Sequence, residues 1–447
     1  MRQKAGRSKM SFFDGSALKV RWLCRLAVAV LVPLTLLAAG AAGASAVASA
    51  RPVAASSAPG AHGGASNLLA LGTLPLHTAG AQVVNRFGRP VRLAGVNWYG
   101  AESVDFAPGG LQLRPLWEIV SQIRQLGFNV VRLPYSNQMV EQDPVVPSYA
   151  LKANPGLEGL RAMQVYERVV HALTSQGIAV ILDDHNSNAE WCCSGTDGNT
   201  LWYNSQYPQS AWLADWKKMA ATFRGDPLVI GADLRNEPRA AATWGGPSST
   251  NWQAAAELGG DAVLSVNPHL LVFVEGTSYA GNLSGAKGLP VVLNVPNQLV
   301  YEVHDYAWYE SGFSDYQQWY QQVYPKWAYL VTGRHPVPLM VGEFGTCDTS
   351  LSCVTGTTPG TNGLWFHVLT TFLQRYDVNW TYWAVNGTQS TGAGRSYGAP
   401  ETYGVLNPSW DAPALPALTE RLRQMERPVF ISPANTPSRG ARLRRDR

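Results

Sequence analysis

Eight short apolar runs, each followed by an amphipathic segment or a long loop, most strongly limit what this chain can fold into. The runs that we predict to be strands cover residues 91–97, 128–133, 178–183, 228–234, 270–275, 299–303, 338–343 and 378–383. Helical periodicity between them covers about 115–126, 161–176, 209–224, 251–266, 315–331 and 361–375, whereas the interval 276–298 is rich in Gly and Pro. This alternation predicts an α/β protein, built as a single (β/α)8 TIM barrel.

The segment before the first strand predicts an N-terminal β-hairpin. Gln82-Val-Val-Asn-Arg is followed by the turn-forming Phe87-Gly-Arg-Pro and then by the first barrel strand. A doubly wound sheet is the alternative fold, but no Gly-x-Gly-x-x-Gly follows that strand. Hairpin and barrel together would occupy residues 81–427, a length that suits one barrel with insertions.

The first fifty residues predict an export signal. A basic stretch ending at Arg25 precedes the apolar run Leu26–Ala39, and small residues that suit cleavage follow at Ala44-Ser-Ala and Ala48-Ser-Ala. The apolar run is shorter than the roughly 20 residues that span a bilayer. An uncleaved anchor is the alternative, because alanines continue the run. We therefore predict a signal peptide at 1–50, a secreted protein and, once the signal is cleaved, no stable membrane partner.

Charge and composition describe the two ends of the chain and exclude one class of partner. Residues 51–80 are rich in Ala, Ser, Gly and Pro and predict a linker, and residues 428–447 predict a disordered Arg-rich tail. The net charge of +4 comes from the ends, since the residues between 51 and 438 carry about −6. Nucleic-acid binding needs a basic stripe on the folded body, so we expect none. We expect a monomer without a cofactor.

Four cysteines follow the predicted signal: Cys192, Cys193, Cys347 and Cys353. An even number in an exported chain favours disulfides, with three possible connectivities. Cys347 and Cys353 are close enough in sequence to close a small loop, and we predict that they are bridged. Cys192 and Cys193 can form a vicinal bridge or cross-link elsewhere. Zinc is less favoured, because no Cys-x-x-Cys pair is present.

Polar and aromatic residues follow the predicted strands, where the chemistry of a TIM barrel is found. Those that we predict to form a site are Arg132, His185, Asn236, Glu237, His304, Tyr306, Glu343 and Trp383. Each alone has a simpler explanation, such as a buried ion pair or core packing. Their placement at five strand ends, with a Trp at the eighth, is what predicts a functional site.

Two carboxylates in this set point to a reaction. Glu237 and Glu343 end strands on opposite sides of the barrel, so their side chains should face each other across its mouth. Glycoside hydrolysis requires such a pair, one carboxyl to protonate the leaving oxygen and the other to attack carbon or activate water. Asn236 can donate a hydrogen bond to a sugar 2-OH. We predict no metal ligand in the site.

Neighbouring side chains can set the charge of the two carboxylates. His304 and Tyr306 can donate hydrogen bonds that keep one ionised while the other stays protonated. Arg132 near Glu343 would lower the pKa of that carboxyl and keep it a nucleophile. Aromatic rings that could stack on sugar, with Trp383 next to the cleaved bond, are Trp98, Trp191, Trp202, Trp308 and Trp383.

This ordered set resembles the site of glycoside hydrolase family 5, the large cellulase family of clan A. The resemblance covers residues 80–410 and includes Asn236-Glu237-Pro238, His304-x-Tyr306 and Gly342-Glu343-Phe344-Gly345 in the family's order. It implies that Glu237 is the acid/base and Glu343 the nucleophile. It implies supporting roles for Arg132, His185, Asn236, His304, Tyr306 and Trp383. The long loop at 191–203 departs from the family pattern.

The sequence thus predicts a secreted retaining β-glycosidase acting on a β-1,4-linked polysaccharide, foremost an endo-β-1,4-glucanase. The alternatives within the enzyme class are an endo-β-mannanase, another β-glucanase or a glycolipid endoglycosidase. A non-catalytic carbohydrate-binding protein is disfavoured because both carboxylates are present. A metal-dependent barrel hydrolase lacks clustered His; it would use Asp183, Asp184, His185, His304 and Asp305.

Overall fold

A computed structural model describes residues 68–426. The predicted signal peptide, the first part of the predicted linker and the predicted tail lie outside this range. The described strands are β1 (Leu76–Ala79), β2 (Gln82–Asn85), β3 (Ala94–Asn97), β4 (Val130–Ser136), β5 (Ala179–Asn186), β6 (Val229–Asp233), β7 (Leu271–Glu275), β8 (Leu299–His304), β9 (Leu339–Glu343) and β10 (Asn379–Tyr382).

Strands β3 to β10 form a closed barrel in which all neighbours are parallel. They follow one another around the barrel in chain order, and β10 closes it by pairing with both β9 and β3. Each predicted strand corresponds to one of these eight, because strands buried on both faces read as continuous apolar runs. The predicted (β/α)8 architecture is confirmed.

Ten α-helices accompany the barrel within residues 68–426. They are α1 (Leu116–Gln125), α2 (Asn137–Gln142), α3 (Ala162–Ser175), α4 (Gln209–Thr222), α5 (Trp252–Val266), α6 (Tyr316–Val323), α7 (Tyr329–Thr332), α8 (Ser352–Thr355), α9 (Asn362–Arg375) and α10 (Pro416–Glu426). The chain places capping residues where several begin: the side chains of Asn251 and Thr361 accept hydrogen bonds from the first turns of α5 and α9.

Two helical intervals differ from the prediction. A π-helical turn at Tyr324–Ala328 separates α6 from α7, within the interval predicted as one helix. Pro325 lies in this turn and has no backbone N–H to continue the helical hydrogen bonds. The interval 276–298 contains only the short 3-10 helix Ser284–Lys287, in keeping with its Gly and Pro content. Three further 3-10 turns are Leu71–Thr73, Ser148–Leu151 and Pro155–Leu157.

The N-terminal hairpin begins earlier than predicted. Strands β1 and β2 pair antiparallel, with Leu76 opposite Asn85. The first strand therefore lies inside the range assigned to the linker by its composition. Leu74 and Leu76 are buried in an apolar cluster with barrel residues such as Ile181 and Phe273. Burial of these side chains explains why the folded part starts before residue 81, and the linker boundary is corrected accordingly.

Tryptophan contributes much of the core. Ten tryptophans are fully buried: Trp98, Trp202, Trp212, Trp216, Trp252, Trp319, Trp327, Trp365, Trp380 and Trp410. Several lie on helices or helix-proximal loops, and the indoles of Trp212 and Trp216 both donate hydrogen bonds to the carbonyl of Leu234. Much of the aromatic richness of the chain therefore serves packing.

Both pairs of cysteines form disulfides. The predicted Cys347–Cys353 bridge is confirmed, with its Cα atoms 5.4 Å apart. Cys192 and Cys193 are bonded to each other, which selects the vicinal connection from the two that the sequence left open. Over residues 68–426, no helix is both long and apolar enough to cross a membrane.

Closure of the barrel generates a prediction at Gly95. A Cβ at this position of β3 would overlap the backbone carbonyl of Val130 on β4. Because that carbonyl cannot move without disturbing the sheet, Gly95→Ala should lower the free energy of unfolding by about 1–3 kcal/mol or more, measured by urea denaturation. Gly156→Ala is the matched control, since its Cβ would meet nothing within 4 Å. Equal stabilities of the two variants would contradict this prediction.

Candidate active site

A buried arginine lies in the centre of the barrel, below the C-terminal ends of the strands. Arg132 on β4 has no exposed surface, and its guanidinium contacts a carboxylate from each of five successive strands, β5 to β9. These contacts are to Asp183 (3.0 Å), Asp233 (2.6 Å), Glu275 (3.0 Å), Glu302 (3.3 Å) and Glu343 (2.9 Å). Burial alone would lower the pKa of Arg132, but these carboxylates raise it well above its usual value.

One guanidinium does not neutralise every carboxylate around it. Asp183 also bonds His185 at 2.7 Å, and Arg132 together with His185 holds the pKa of Asp183 below its usual value despite burial. Asp233 has the opposite balance: burial and the neighbouring Glu302 raise its pKa far above the usual value. Within one layer around Arg132, the pKa values of Asp183 and Asp233 are therefore displaced in opposite directions.

Above this layer, Glu237 and Glu343 face each other. Glu343, the last residue of β9, accepts hydrogen bonds from Arg132 Nη1 and Tyr306 Oη, both at 2.9 Å. Glu237, beyond the end of β6, lies 3.0 Å from His304 Nδ1. Carboxylate oxygens of the two glutamates and a His304 ring nitrogen lie within 4.8 Å of one another. The predicted facing carboxylates and their predicted donors are thus brought together.

The backbone at Glu237 is held in an unusual conformation. Its φ of 49° lies in the left-handed region, which non-glycine residues seldom adopt. The backbone N–H of Glu237 donates to Glu275 Oε2 at 2.6 Å, and its carbonyl accepts from Arg239 at 2.9 Å. These bonds fix the direction of the side chain, and strain of this kind is found at functional sites.

The pKa directions of Glu237 and Glu343 differ from the prediction. His304 and Arg132 lower the pKa of Glu343 as expected, but burial outweighs them and the pKa is raised. Burial also raises the pKa of Glu237, yet the bond and charge of His304 outweigh it and the pKa is lowered. The pKa of His304 is raised well above its usual value, because Glu275 and Glu343 outweigh burial. In the ligand-free protein the two pKa directions therefore run opposite to the order that we predicted for the pair.

A cavity of about 300 Å³ opens above the two glutamates. We call it the carboxylate cavity. The predicted residues that line it are His185, Asn236, Glu237, Tyr306, Glu343 and Trp383. Arg132 and His304 are fully buried below it. The resemblance implied supporting roles for both in the substrate-binding site, and their place in the structure makes them positioning residues for the two glutamates.

Two rings that we predicted to stack on sugar do not lie at the carboxylate cavity. Trp98 is fully buried, and its Nε1 donates to the carbonyl of Gly109 at 2.8 Å. Trp202 is also fully buried, with its Nε1 bonded to Gln209 at 2.8 Å. Neither lines the carboxylate cavity, so the prediction that they bind substrate is wrong. Both pack in the core, which the count of aromatic residues alone could not reveal.

Other residues of the cavity wall come from long loops. Arg395 lies over the ring of Trp191, with its guanidinium carbon 3.9 Å from the ring centroid, and so connects the loops after β10 and β5. Arg395 and Tyr99 both contact Glu401, and Tyr99 stacks on Trp383 at 5.2 Å. The sequence pattern predicted Trp191 but not Arg395 and Glu401, because these loops carry no periodic pattern, and Tyr99 contacts Trp383 without lining the cavity.

The acidic layer around Arg132 was also missed, although a signal was present. Asp233, Glu275 and Glu302 are ionisable residues inside otherwise apolar strand sequences. Such residues are almost never fully buried unless paired, so each predicts a buried partner. The only basic residue in the predicted strand 128–133 is Arg132.

The residues proposed for a metal-dependent hydrolase do not form one site. Asp184 contacts Arg235, and Asp305 accepts a hydrogen bond from the indole of Trp365 at 2.7 Å. Asp183 and His185 bond each other, and His304 lies with the glutamates. Asp184 and Asp305 thus lie apart from the other three side chains, which belong to the network around Arg132 and the two glutamates.

The family follows from comparison with known proteins. A family model described as cellulase (glycosyl hydrolase family 5) matches residues 84–389. The chain belongs to glycoside hydrolase family 5. The match contains the acidic layer, both facing glutamates and Trp383, so the resemblance carried by the strand-end residues is confirmed. The protein is a glycoside hydrolase.

Relatives and a solved structure agree with this family. An endoglucanase from Paenibacillus polymyxa is 36% identical over 333 residues, 69% of this chain and 79% of that protein. The major extracellular endoglucanase of Xanthomonas campestris pv. campestris is 34% identical over 283 residues, 59% of this chain and 56% of that protein. The structure of a Pyrococcus horikoshii endocellulase variant with cellotetraose has 27% identity and a TM-score of 0.67, covering 78% of this chain and 98% of that one.

The buried charge of Arg132 predicts both stability and pH dependence. Arg132→Met leaves the carboxylates of five strands without their cation and should lower the free energy of unfolding by about 3–5 kcal/mol. Arg132→Lys keeps a positive charge, although one ammonium group cannot contact all five carboxylates. This variant should lose less stability than Arg132→Met. In Arg132→Lys the pKa of Glu343 should rise, so the acidic limb of the kcat/KM profile should move to higher pH, if ionised Glu343 is required. An unmoved limb would show that Arg132 does not control this carboxyl.

Trp383 is half-buried and lines the carboxylate cavity. If it holds a sugar ring by stacking, Trp383→Ala should lower kcat/KM on a polysaccharide by a factor corresponding to about 1–3 kcal/mol, by analogy with base–aromatic stacking. Trp117→Ala is the control, since this ring on α1 is 69% exposed and lies outside the cavity. Full activity in Trp383→Ala would limit this residue to packing.

Proposed function

We propose that this glycoside hydrolase is a secreted, monomeric, retaining endo-β-1,4-glucanase. The observation that carries the mechanism is the distance between the two glutamates, whose carboxylate oxygens lie within 4.8 Å of each other. Retaining glycosidases have carboxyls about 5–5.5 Å apart, whereas inverting enzymes need about 6.5–9.5 Å to admit a water. The close pair favours direct attack by a carboxylate on the sugar.

Glu343 is assigned as the nucleophile. Two donors, Arg132 and Tyr306, hold its carboxylate, and both bonds favour the ionised form that attacks carbon. As the covalent glycosyl-enzyme forms, the charge of Glu343 is consumed in the new ester bond. Tyr306 is then free to donate to the sugar, while Arg132 remains paired with the acidic layer.

Glu237 is assigned as the acid/base. It protonates the leaving oxygen in the first step and takes a proton from water in the second. Substrate in the carboxylate cavity excludes water and further buries Glu237, which raises its pKa toward the value that an acid needs. Loss of the negative charge of Glu343 in the intermediate then lowers the pKa of Glu237 for its role as base. The His304 contact orients Glu237 through both steps.

The sugar and the location rest on separate support. The named relatives are endoglucanases, and the Pyrococcus horikoshii structure carries cellotetraose, which together favour β-1,4-linked glucan. Asn236 and Trp383 in the carboxylate cavity offer an amide and a ring to a sugar. The signal-like segment 1–50 and two disulfides favour secretion.

Product analysis tests the proposal. Purified protein is incubated with carboxymethyl cellulose, mannan, xylan, mixed-linkage glucan and a glycolipid, and reducing ends and viscosity are followed. We expect the highest rate on carboxymethyl cellulose, with viscosity falling well before most reducing ends appear, because endo cleavage shortens long chains first. If reducing ends are released faster from mannan or from the glycolipid, that compound replaces β-1,4-glucan as the proposed substrate. No turnover on any of them would favour the carbohydrate-binding alternative.

Azide rescue separates the roles of the two glutamates. Glu237→Ala should still be glycosylated by an aryl β-cellobioside with a good leaving group, because departure of that group needs no proton. Azide should then speed turnover and give a β-glycosyl azide. Glu343→Ala should lose activity on the same substrate, and azide should give only the α-azide.

The stereochemistry of the azides and of the natural product decides the outcome. If the two variants give azides of the reverse configurations, the roles of acid/base and nucleophile must be exchanged between Glu237 and Glu343. NMR shows the anomeric configuration of the first product of the unmodified enzyme. If that configuration is inverted, the retaining mechanism is ruled out. Trp117→Ala serves as the control for effects of substitution itself, because this exposed ring does not line the carboxylate cavity.

A further inference from the structure

A second cavity adjoins the first. It has a volume of about 570 Å³ and shares Cys193 and Trp308 with the carboxylate cavity. We call it the adjoining cavity. Its other walls include Tyr279, Asn282 and Tyr309. We call the boundary between the two cavities, formed by Cys193 and Trp308, the passage.

The adjoining cavity lies on the side of Glu237. Tyr309 lines it, and the Tyr309 hydroxyl lies 3.5 Å from Glu237 Oε1. The same hydroxyl donates to the carbonyl of Tyr279 at 2.8 Å, so its position is fixed. If Glu237 protonates the leaving oxygen, as proposed above, the sugar attached to that oxygen points toward this cavity.

The vicinal disulfide lies at the passage between the two cavities. Asn236 Nδ2 is 3.4 Å from the sulfur of Cys192 and 3.5 Å from that of Cys193. Both cysteines line the carboxylate cavity, and Cys193 is only partly buried. A bond between neighbouring residues closes almost no loop, so chain-entropy stabilisation gives little reason for it. Its position beside Asn236 and Glu237 calls for another explanation.

The chemistry of the passage fits a sugar ring. Disulfide sulfurs are polarisable and make no demand for hydrogen bonds, so they can pack against the C–H face of a pyranose. Trp308, the other shared residue, is 65% exposed and presents a flat ring. Farther along, Asn282 and Tyr309 offer polar groups for hydroxyls. The passage thus combines apolar surfaces with polar groups beyond them.

We propose that the Cys192–Cys193 disulfide is a sugar-binding surface that contacts the first sugar unit on the leaving-group side of the cleaved bond. This inference rests on the proposed function, because it takes the direction of the chain from the role of Glu237. The disulfide acts by contact and takes no part in bond cleavage. Its removal should therefore affect substrates according to whether a sugar occupies the passage.

The test compares two substrates with the same glycosyl part. Cellotetraose cleaved in the middle leaves a disaccharide beyond the cleaved bond, whereas β-cellobiosyl fluoride leaves only fluoride. The variant is Cys192→Ala with Cys193→Ala. Its kcat/KM should fall about tenfold on cellotetraose and less than about twofold on the fluoride, because only the first substrate places a sugar on the sulfurs. Thermal unfolding is measured alongside.

A second disulfide provides the matched control. Cys347→Ala with Cys353→Ala removes the other bridge, which does not line either cavity. This variant should change both substrates by the same factor. If the first variant does not fold, the control variant is treated with the phosphine TCEP, which then reduces only Cys192–Cys193. The same selective loss on cellotetraose is expected there.

The outcomes distinguish this inference from the proposed function. An equal loss on both substrates would reduce the vicinal disulfide to a structural role, and no loss on either would remove it from the binding surface. Both results overturn the inference while leaving a working glucanase. If the unmodified enzyme hydrolyses neither substrate, the proposed function has failed, and the inference fails with it.

Discussion

The charge of Arg132 is the interaction on which the arrangement of this site depends. Its guanidinium contacts carboxylates from five successive barrel strands and is fully buried. Buried ion pairs repay their desolvation only when geometry and further hydrogen bonds are favourable. Here the barrel supplies that geometry, because parallel strands bring successive acidic residues around one point. Glu343 alone among the five reaches up to the carboxylate cavity, so the acidic layer fixes one member of the reacting pair from below.

The same layer explains why the ligand-free pKa directions do not match the proposed roles. His304 contacts Glu237 and also lies near Glu275 and Glu343, and its raised pKa places a positive charge between them. That charge lowers the pKa of Glu237 while the cavity is open to water. A bound sugar changes burial at Glu237 more than at His304, which is already fully buried. We therefore expect a bound sugar to shift the pKa of Glu237 more than that of His304.

The barrel and most of its site were predictable for a physical reason. Strands buried on both faces read as apolar runs, and the polar residues at their ends must point into the mouth of the barrel. That rule identified Glu237 and Glu343. It does not apply to loops, so Arg395 and Glu401 were missed. Nor does residue type report which way a ring faces, and Trp98 proved to be core. The start of β1 was hidden by a composition typical of linkers.

Substrate choice must then depend on the loops rather than on the barrel. The acidic layer lies on the barrel strands and supports the glutamate pair from below. Loop residues form the walls beside this pair. Trp191 under Arg395 lies at one wall, and Cys193 with Trp308 lies at the passage to the adjoining cavity. Trp191 and Cys193 both belong to the long loop that departs from the family pattern. One loop therefore contributes several lining residues of the carboxylate cavity, and we expect changes within it to alter specificity while leaving the glutamates in place.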